Sequence, residues 1–268
     1  MSFPPWLEHG LGVIGLVCFA LMLAPQALLN ARRRSTEGMA LGAFLVWHLA
    51  VILTAAFFLA GALPGSALVG QGGGGGEEDA EGTQAASSWA WIATSMGSAI
   101  VVCCLIEAQV VSYRKDEAGR RPPAETWPLA RGAFAGASLL ATSLAVTAAL
   151  GWWMRDARGL AVVILGNVLP SALFALGFLP QLYVFLASRS VEGFAFGMVA
   201  LDLIGSGANI ALCFEPPGIS TSAAVLASLP FLIIIAMHVI LVSVAIGVVL
   251  LNRFHRASAG VGARADSV

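Results

Sequence analysis

The chain has 268 residues, 58% of them hydrophobic and 11% charged, with a mean hydropathy of +0.86 and a formal net charge of −1. A soluble domain carries about 25% charged residues, so this composition excludes one and points to the membrane. The near-neutral charge hides an asymmetry, with basic residues on one side and Glu77, Glu78, Asp79 and Glu81 on the other, and the basic side is not evidence for a nucleic-acid partner.

A bilayer core asks for about 20 mostly apolar residues per helix. Seven stretches qualify, at 9–29, 39–62, 89–112, 133–154, 159–187, 194–213 and 222–251. Their apolar runs are continuous, which selects helices over a barrel of alternating strands. The first run follows MSFPPWLEHG, which has no positive n-region and no small-residue cleavage signature, so it reads as a span and not a removed signal peptide. The stretch 63–88, containing GQGGGGGEEDAEGTQ, reads as a flexible acidic loop. A second hydrophilic stretch, SYRKDEAGRRPPAETWP, separates the third and fourth spans.

Alternate connections, at 30–38, 113–132, 188–193 and 252–268, hold twelve of the fourteen Lys and Arg residues. The positive-inside rule therefore predicts a cytosolic C-terminus and an N-terminus outside or in a lumen. Trp6, Trp89, Trp91, Trp152 and Trp153 would then lie near the outer interface and Trp127 near the inner one. Cys18, Cys103, Cys104 and Cys213 all fall within spans and read as small core residues. The basic cytosolic face suits anionic lipid.

The chain repeats itself. PQALLNARRRSTEGMALG (25–42) and PQLYVFLASRSVEGFAFG (180–197) align without a gap at an offset of 155, with eight of eighteen positions identical. The matches are Pro25/Pro180, Gln26/Gln181, Arg34/Arg189, Ser35/Ser190, Glu37/Glu192, Gly38/Gly193, Ala40/Ala195 and Gly42/Gly197. Both copies end a span of the same direction, so the chain divides as three helices, one linker helix and three helices, an all-α membrane protein in a 3+1+3 parallel repeat. The predicted units are 1–112, a loop and linker helix over 113–158, a second bundle over 159–251 and a cytosolic tail over 252–268. A proline near a helix end removes a hydrogen bond and permits a kink, so Pro25, Gln26, Pro180 and Gln181 are expected to form a pair of hinges. Ser35 and Ser190 are candidate N-caps of the helices that follow.

These motifs resemble the PQ-loop repeat family, of the cystinosin and lysosomal or vacuolar amino-acid exporter type. The second copy is the nearer match, through SVEGFAFGMVALDLIGSG (190–207) with its Leu-Asp step; the first copy has Trp47 where its mate has Asp202. The resemblance implies a proton-coupled transporter that exports a small polar solute, commonly an amino acid, from an acidic organelle lumen by alternating access. It also implies residence in a vacuole or lysosome-like endomembrane.

Ionisable groups at membrane depth cost about 2.5–3.5 kcal/mol on insertion scales, so they usually have a role. Four are present: His48, Glu107, Asp202 and His238. Counted at 1.5 Å per residue from the motif glycines, His48 and Asp202 lie near the midplane, and the four could converge. Asp202 is the first candidate for proton coupling, and the resemblance assigns that role to the aspartate of the Leu-Asp step. His48, Glu107 and His238 are further candidates for proton or solute contacts. Asn167 and Asn209 are candidate solute hydrogen-bonders, and Gly205 and Gly207 suit close helix packing. No phosphate-binding glycine loop follows a strand, and neither enzymatic activity, cofactor nor metal is expected.

A retinal protein is excluded because the sole lysine, Lys115, lies in a loop. Two alternatives inside the same superfold remain: a sugar uniporter of the SWEET type, and a nutrient-sensing scaffold that recruits a cytosolic partner through 30–38 and 113–132. An indispensable Asp202 would disfavour both.

Overall fold

The computed structural model describes residues 3–36, 39–64, 66, 68, 78–113, 129–156, 160–215 and 220–265. Among them are seven helices and no strand: α1 (Pro5–Arg33), α2 (Leu41–Ala62), α3 (Glu78–Ser112), α4 (Leu129–Asp156), α5 (Leu160–Ser188), α6 (Gly197–Cys213) and α7 (Thr221–Ala265). Six are long and apolar enough to cross a bilayer, and α6, with 17 residues, is the shorter apolar helix.

Two of the predicted boundaries move. The helix of α3 runs back to Glu78 into the stretch expected to be a loop, because Ala and Glu are good helix formers and propagation from a formed helix is cheap. The helix of α7 likewise continues to Ala265, so most of the expected tail is helical. The loop 114–128, with Trp127, lies outside the described residues.

Within the first bundle α3 packs between α1 and α2; within the second, α7 packs between α5 and α6. Across the bundles α1 packs on α6 and α2 packs on α5. Exchanging α1 with α5 and α2 with α6 maps one contact onto the other, as a parallel repeat requires. The linker α4 packs on α2 and α3. Two glycines let it approach. A Cβ on Gly136 would lie 3.1 Å from Ala108 Cβ, and one on Gly151 would lie 3.2 Å from the Ala56 carbonyl. Its other face is exposed at Phe134, Leu139, Leu144, Trp152 and Trp153, as a lipid-facing surface would be.

Trp89, expected in the outer aromatic belt, faces inward and not toward lipid. It is buried against Phe57 and Phe58, with ring centroids 5.4 and 5.3 Å away, because Gly61 opposite has no side chain to exclude the indole. Phe231 of α7 and Phe19 of α1 extend this aromatic core across the two bundles.

Candidate functional site

The site is built from the repeated corner and from the cavity beside it. In α1 the helix breaks at Met22–Leu23 and restarts at Ala24, which puts Pro25 in a first turn where its missing N–H costs nothing. Pro180, its mate, sits inside α5 with the helix continuous around it. The irregular turn of α5 lies earlier, as a π turn over Ile164–Val168 just before Pro170. The two prolines are thus hinge-like in the first copy only.

The helices end alike. Arg34 and Arg189 are both left-handed, with φ of 47° and 49°. At the first, Arg34 N–H donates to Ala31 O and Ser35 N–H to Asn30 O, the paired bonds of a Schellman ending. The repeated arginine is therefore the residue that turns the chain out of the helix, a position glycine usually fills.

Ser35 and Ser190 do not cap the next helices, which start at Leu41 and Gly197. Ser190 Oγ instead accepts from Glu192 N–H two residues on, at 3.1 Å. The helix-opening N–H groups are satisfied by the glutamines of the opposite repeat. Gln26 Oε1 accepts from Ala195 N–H at 2.8 Å, and Gln181 Oε1 accepts from Ala40 N–H at 3.0 Å. Ala40 and Ala195 are themselves repeat mates. Gln26 Nε2 also donates to Gly193 O at 2.8 Å and Asn30 Oδ1 at 2.9 Å. Both glutamines are fully buried. Each repeat thus clasps the other at this end.

Beside the clasps lies a small cavity of about 30 Å³, lined by residues of six helices. Its walls are apolar, with Phe19, Trp47, Met96, Phe178 and Ile234 among them, except for Asp202 and His238. His238 Nδ1 lies 2.9 Å from the Ile234 carbonyl one turn back; a carbonyl only accepts, so Nδ1 carries the hydrogen. Nε2 is left facing Asp202 Oδ2 at 3.5 Å, an ion-pair distance. Phe178 holds the ring edge-on, with centroids 4.8 Å apart. Asp202 keeps 14% of its side chain exposed to this space, and its Oδ1 has no protein partner. Trp47, its repeat mate, lines the same cavity and donates to Phe174 O at 3.3 Å. Gly177 makes room for the indole, since a Cβ there would lie 2.3 Å from it.

The four intramembrane ionisable groups do not converge; they form two pairs. His48 follows Trp47 by one residue, which turns it about 100° around α2, away from the cavity. It is buried against α3 and α4: Nδ1 meets Glu107 Oε1 at 2.8 Å, and Nε2 meets Ser143 Oγ at 3.1 Å. Cys104 Sγ lies 3.8 Å from Nε2. Among the described residues, His48, Cys104 and Glu107 are the ligand-type group whose donor atoms lie within 4.8 Å of one another. The two ring nitrogens serve opposite partners, which fits a hydrogen-bonded network better than a chelate.

Neither asparagine lines the cavity. Asn167, in the π turn of α5, donates to the Leu226 carbonyl of α7. Asn209 is fully buried between Gly15 of α1 and Ser95 of α3. Gly205 does meet α1, where a Cβ would lie 3.1 Å from Cys18; Gly207 faces open space.

One polar group escapes sequence reasoning. Ser88 Oγ of α3 lies 3.0 Å from Glu8 Oε1 of α1 and 2.7 Å from Glu215 Oε2 just beyond α6, all three buried. They stand at the end of the α1–α6 seam opposite the Gln26 clasp. The usable signal is that Glu8 shares the buried stripe of α1 with Gly12, Gly15 and Phe19, spaced as one helix face.

No curated protein matches the chain. The PQ loop repeat family matches it twice, at residues 7–66 and 165–214, each match taking in one Pro-Gln corner and the first two helices of one bundle. One match to the PQ loop repeat thus stands at the head of each three-helix bundle.

Proposed function

We propose that this protein is a proton-coupled transporter of a small polar solute, with an amino acid as first choice, working by alternating access between its two repeats. The family includes membrane transporters and exporters. The observation that carries the reading is the Asp202–His238 pair on the wall of a cavity between the bundles. With Nδ1 committed to Ile234 O, a single proton on Nε2 or on the carboxyl decides whether the pair is neutral or zwitterionic. A zwitterionic solute offers one ammonium and one carboxylate, and the ionised pair offers one group of each sign. A sugar would need several hydroxyl partners in a wall whose polar side chains are these two. No chemical step is assigned to the site.

In this reading the clasped end, beside the basic connections, faces the cytosol by the positive-inside rule and the Glu8–Glu215 end faces a lumen, which the family resemblance makes that of a vacuole- or lysosome-like organelle. In this reading a proton and solute enter from the acidic side and both leave to the cytosol. A cytosolic partner at 30–38 and 113–132 stays a secondary proposal.

The test is uptake of a labelled amino-acid panel into vesicles, with and without an imposed proton gradient. Wild type should show gradient-driven uptake that Asp202→Asn abolishes. Uptake that ignores the gradient, or that survives Asp202→Asn, would refute the coupling.

A further inference from the structure

Proline interrupts both α5 and α7, and the two interruptions meet. In α5 the Leu169 N–H donates to the Ile164 carbonyl five residues back, one residue wider than an α-helix, and Pro170 follows at once. In α7 Pro230 has no N–H to give, so the Leu226 carbonyl four residues back lacks its ordinary helical partner. Asn167, inside the wide turn of α5, supplies one. It is 1% exposed, and its Nδ2 donates to the Leu226 carbonyl. A carbonyl freed by a proline in one helix is thus satisfied by an amide from the irregular turn of its neighbour.

Both breaks lie in the half of the bundle away from the glutamine clasps. Asn167 and Leu226 stand roughly 10 and 8 Å along their helices from Leu160 and Thr221, where those helices begin. The leading segments, 160–168 and 221–229, have few other ties. Thr221, Ser222, Ala223, Val225 and Leu226 are exposed. The segment 160–168 meets α2 through an apolar contact, with Gly166 under Phe57 and a Cβ there falling 2.2 Å from the ring. In the first repeat the break is at the opposite end, since α1 is interrupted at Met22–Leu23 beside Gln26.

We infer that the far end of the α2–α5 seam opens by a joint swing of these two segments about Pro170 and Pro230, with Asn167 latching α5 to α7 so that they move as one body. The swing rests on the alternating-access reading; the latch stands without it. α1 bends at the clasped end and the α5–α7 pair at the other, so each repeat supplies the hinge for one face. The swing parts the apolar Gly166–Phe57 contact, whereas parting the α1–α6 seam at the same end would break the bonds of Ser88 to Glu8 and Glu215. Asn167 is a positioning residue that lies off the cavity wall and sets which helices travel together.

Thermal unfolding in detergent tests the latch, with Asn167→Leu made alone and together with Pro230→Ala, which restores an N–H to the Leu226 carbonyl. Asn167→Leu should lower the midpoint by about 3 °C or more on its own, and by less than about half of that beside Pro230→Ala. Equal losses in both backgrounds overturn the latch, and the joint swing with it. Should Asn167→Leu alone fail to fold, recovery of folded protein on adding Pro230→Ala upholds the latch and continued misfolding overturns it. Alkylation of Cys103 tests the hinge, in vesicles of protein whose other three cysteines are alanine, with an impermeant maleimide applied at the Glu8–Glu215 face. Pro170→Ala and Pro230→Ala should each slow the reaction from that face by about tenfold or more and leave the rate from the clasped face unchanged. A rate from the Glu8–Glu215 face within about twofold of the parent in either folded proline variant overturns the hinge and leaves alternating access standing. A parent protein whose Cys103 reacts from one face only overturns alternating access itself, and the swing with it.

Discussion

Replacing Gln26 with leucine keeps roughly the side-chain volume at the corner but removes every polar bond the residue makes. The Ala195 N–H and the Gly193 carbonyl of the opposite repeat lose their partner. Each buried group left unsatisfied costs about 1–3 kcal/mol. The penalty falls on the closed corner alone, since water reaches both groups once the repeats part. A combined shift of about 2–6 kcal/mol corresponds to at least about a 30-fold gain in the open population. Cys103 reports on it: the residue lines the cavity and is 2% exposed. In a chain whose other three cysteines are alanine, alkylation of Cys103 by a water-soluble maleimide applied at the clasped end should accelerate by at least tenfold in Gln26→Leu. Gln181→Leu, which orphans Ala40 N–H, should act in the same direction. A Cys103 rate within twofold of wild type, in protein that keeps its thermal midpoint, would refute the idea that the glutamine clasp holds this end shut.

Two other outcomes follow from packing and charge. His48→Phe leaves Glu107 buried without its 2.8 Å partner and should lower stability by about 3–5 kcal/mol, with much of that loss recovered in the double variant His48→Phe/Glu107→Leu. Thermal unfolding in detergent measures both, and a double variant as unstable as the single one would contradict the pairing. Gly61→Ala sets a Cβ 1.8 Å from the Trp89 ring and should cost about 1–3 kcal/mol or more, whereas Gly207→Ala meets nothing within 4 Å and should gain up to about 1 kcal/mol. Equal thermal midpoints for these two alanine variants would mean that Trp89 does not sit over Gly61.

The arrangement joins the repeat to the proposed cycle. Both glutamine clasps lie at one end of the bundle interface, while the far end of the α1–α6 seam is held by Glu8, Ser88 and Glu215. The corresponding stretch of the α2–α5 seam is apolar, with Gly166 packed under Phe57. One seam therefore carries ionisable groups from the far end to the cavity and the other does not. This asymmetry follows from substitutions such as Trp47 for Asp202 between repeats of the same backbone plan.

By itself the sequence determined how many helices there are, where they run and that they form two copies of one unit. Span length is set by bilayer thickness, and the register of 155 residues survives in the identities at the corner. It also singled out Asp202, because a carboxylate at that depth needs a reason to be there. Only the tertiary structure decided what those residues touch. The partners of Gln26 lie 167 and 169 residues away, and Ser88 meets carboxyls 80 and 127 residues distant. Local pattern contains no trace of such pairings. His48 shows the same limit at the scale of one helix: its depth was legible, but one residue of helical rotation, set by how α2 packs on α3 and α4, turned it from the cavity to Glu107. Depth follows from counting along a chain, whereas facing is settled by which neighbours close-pack against it.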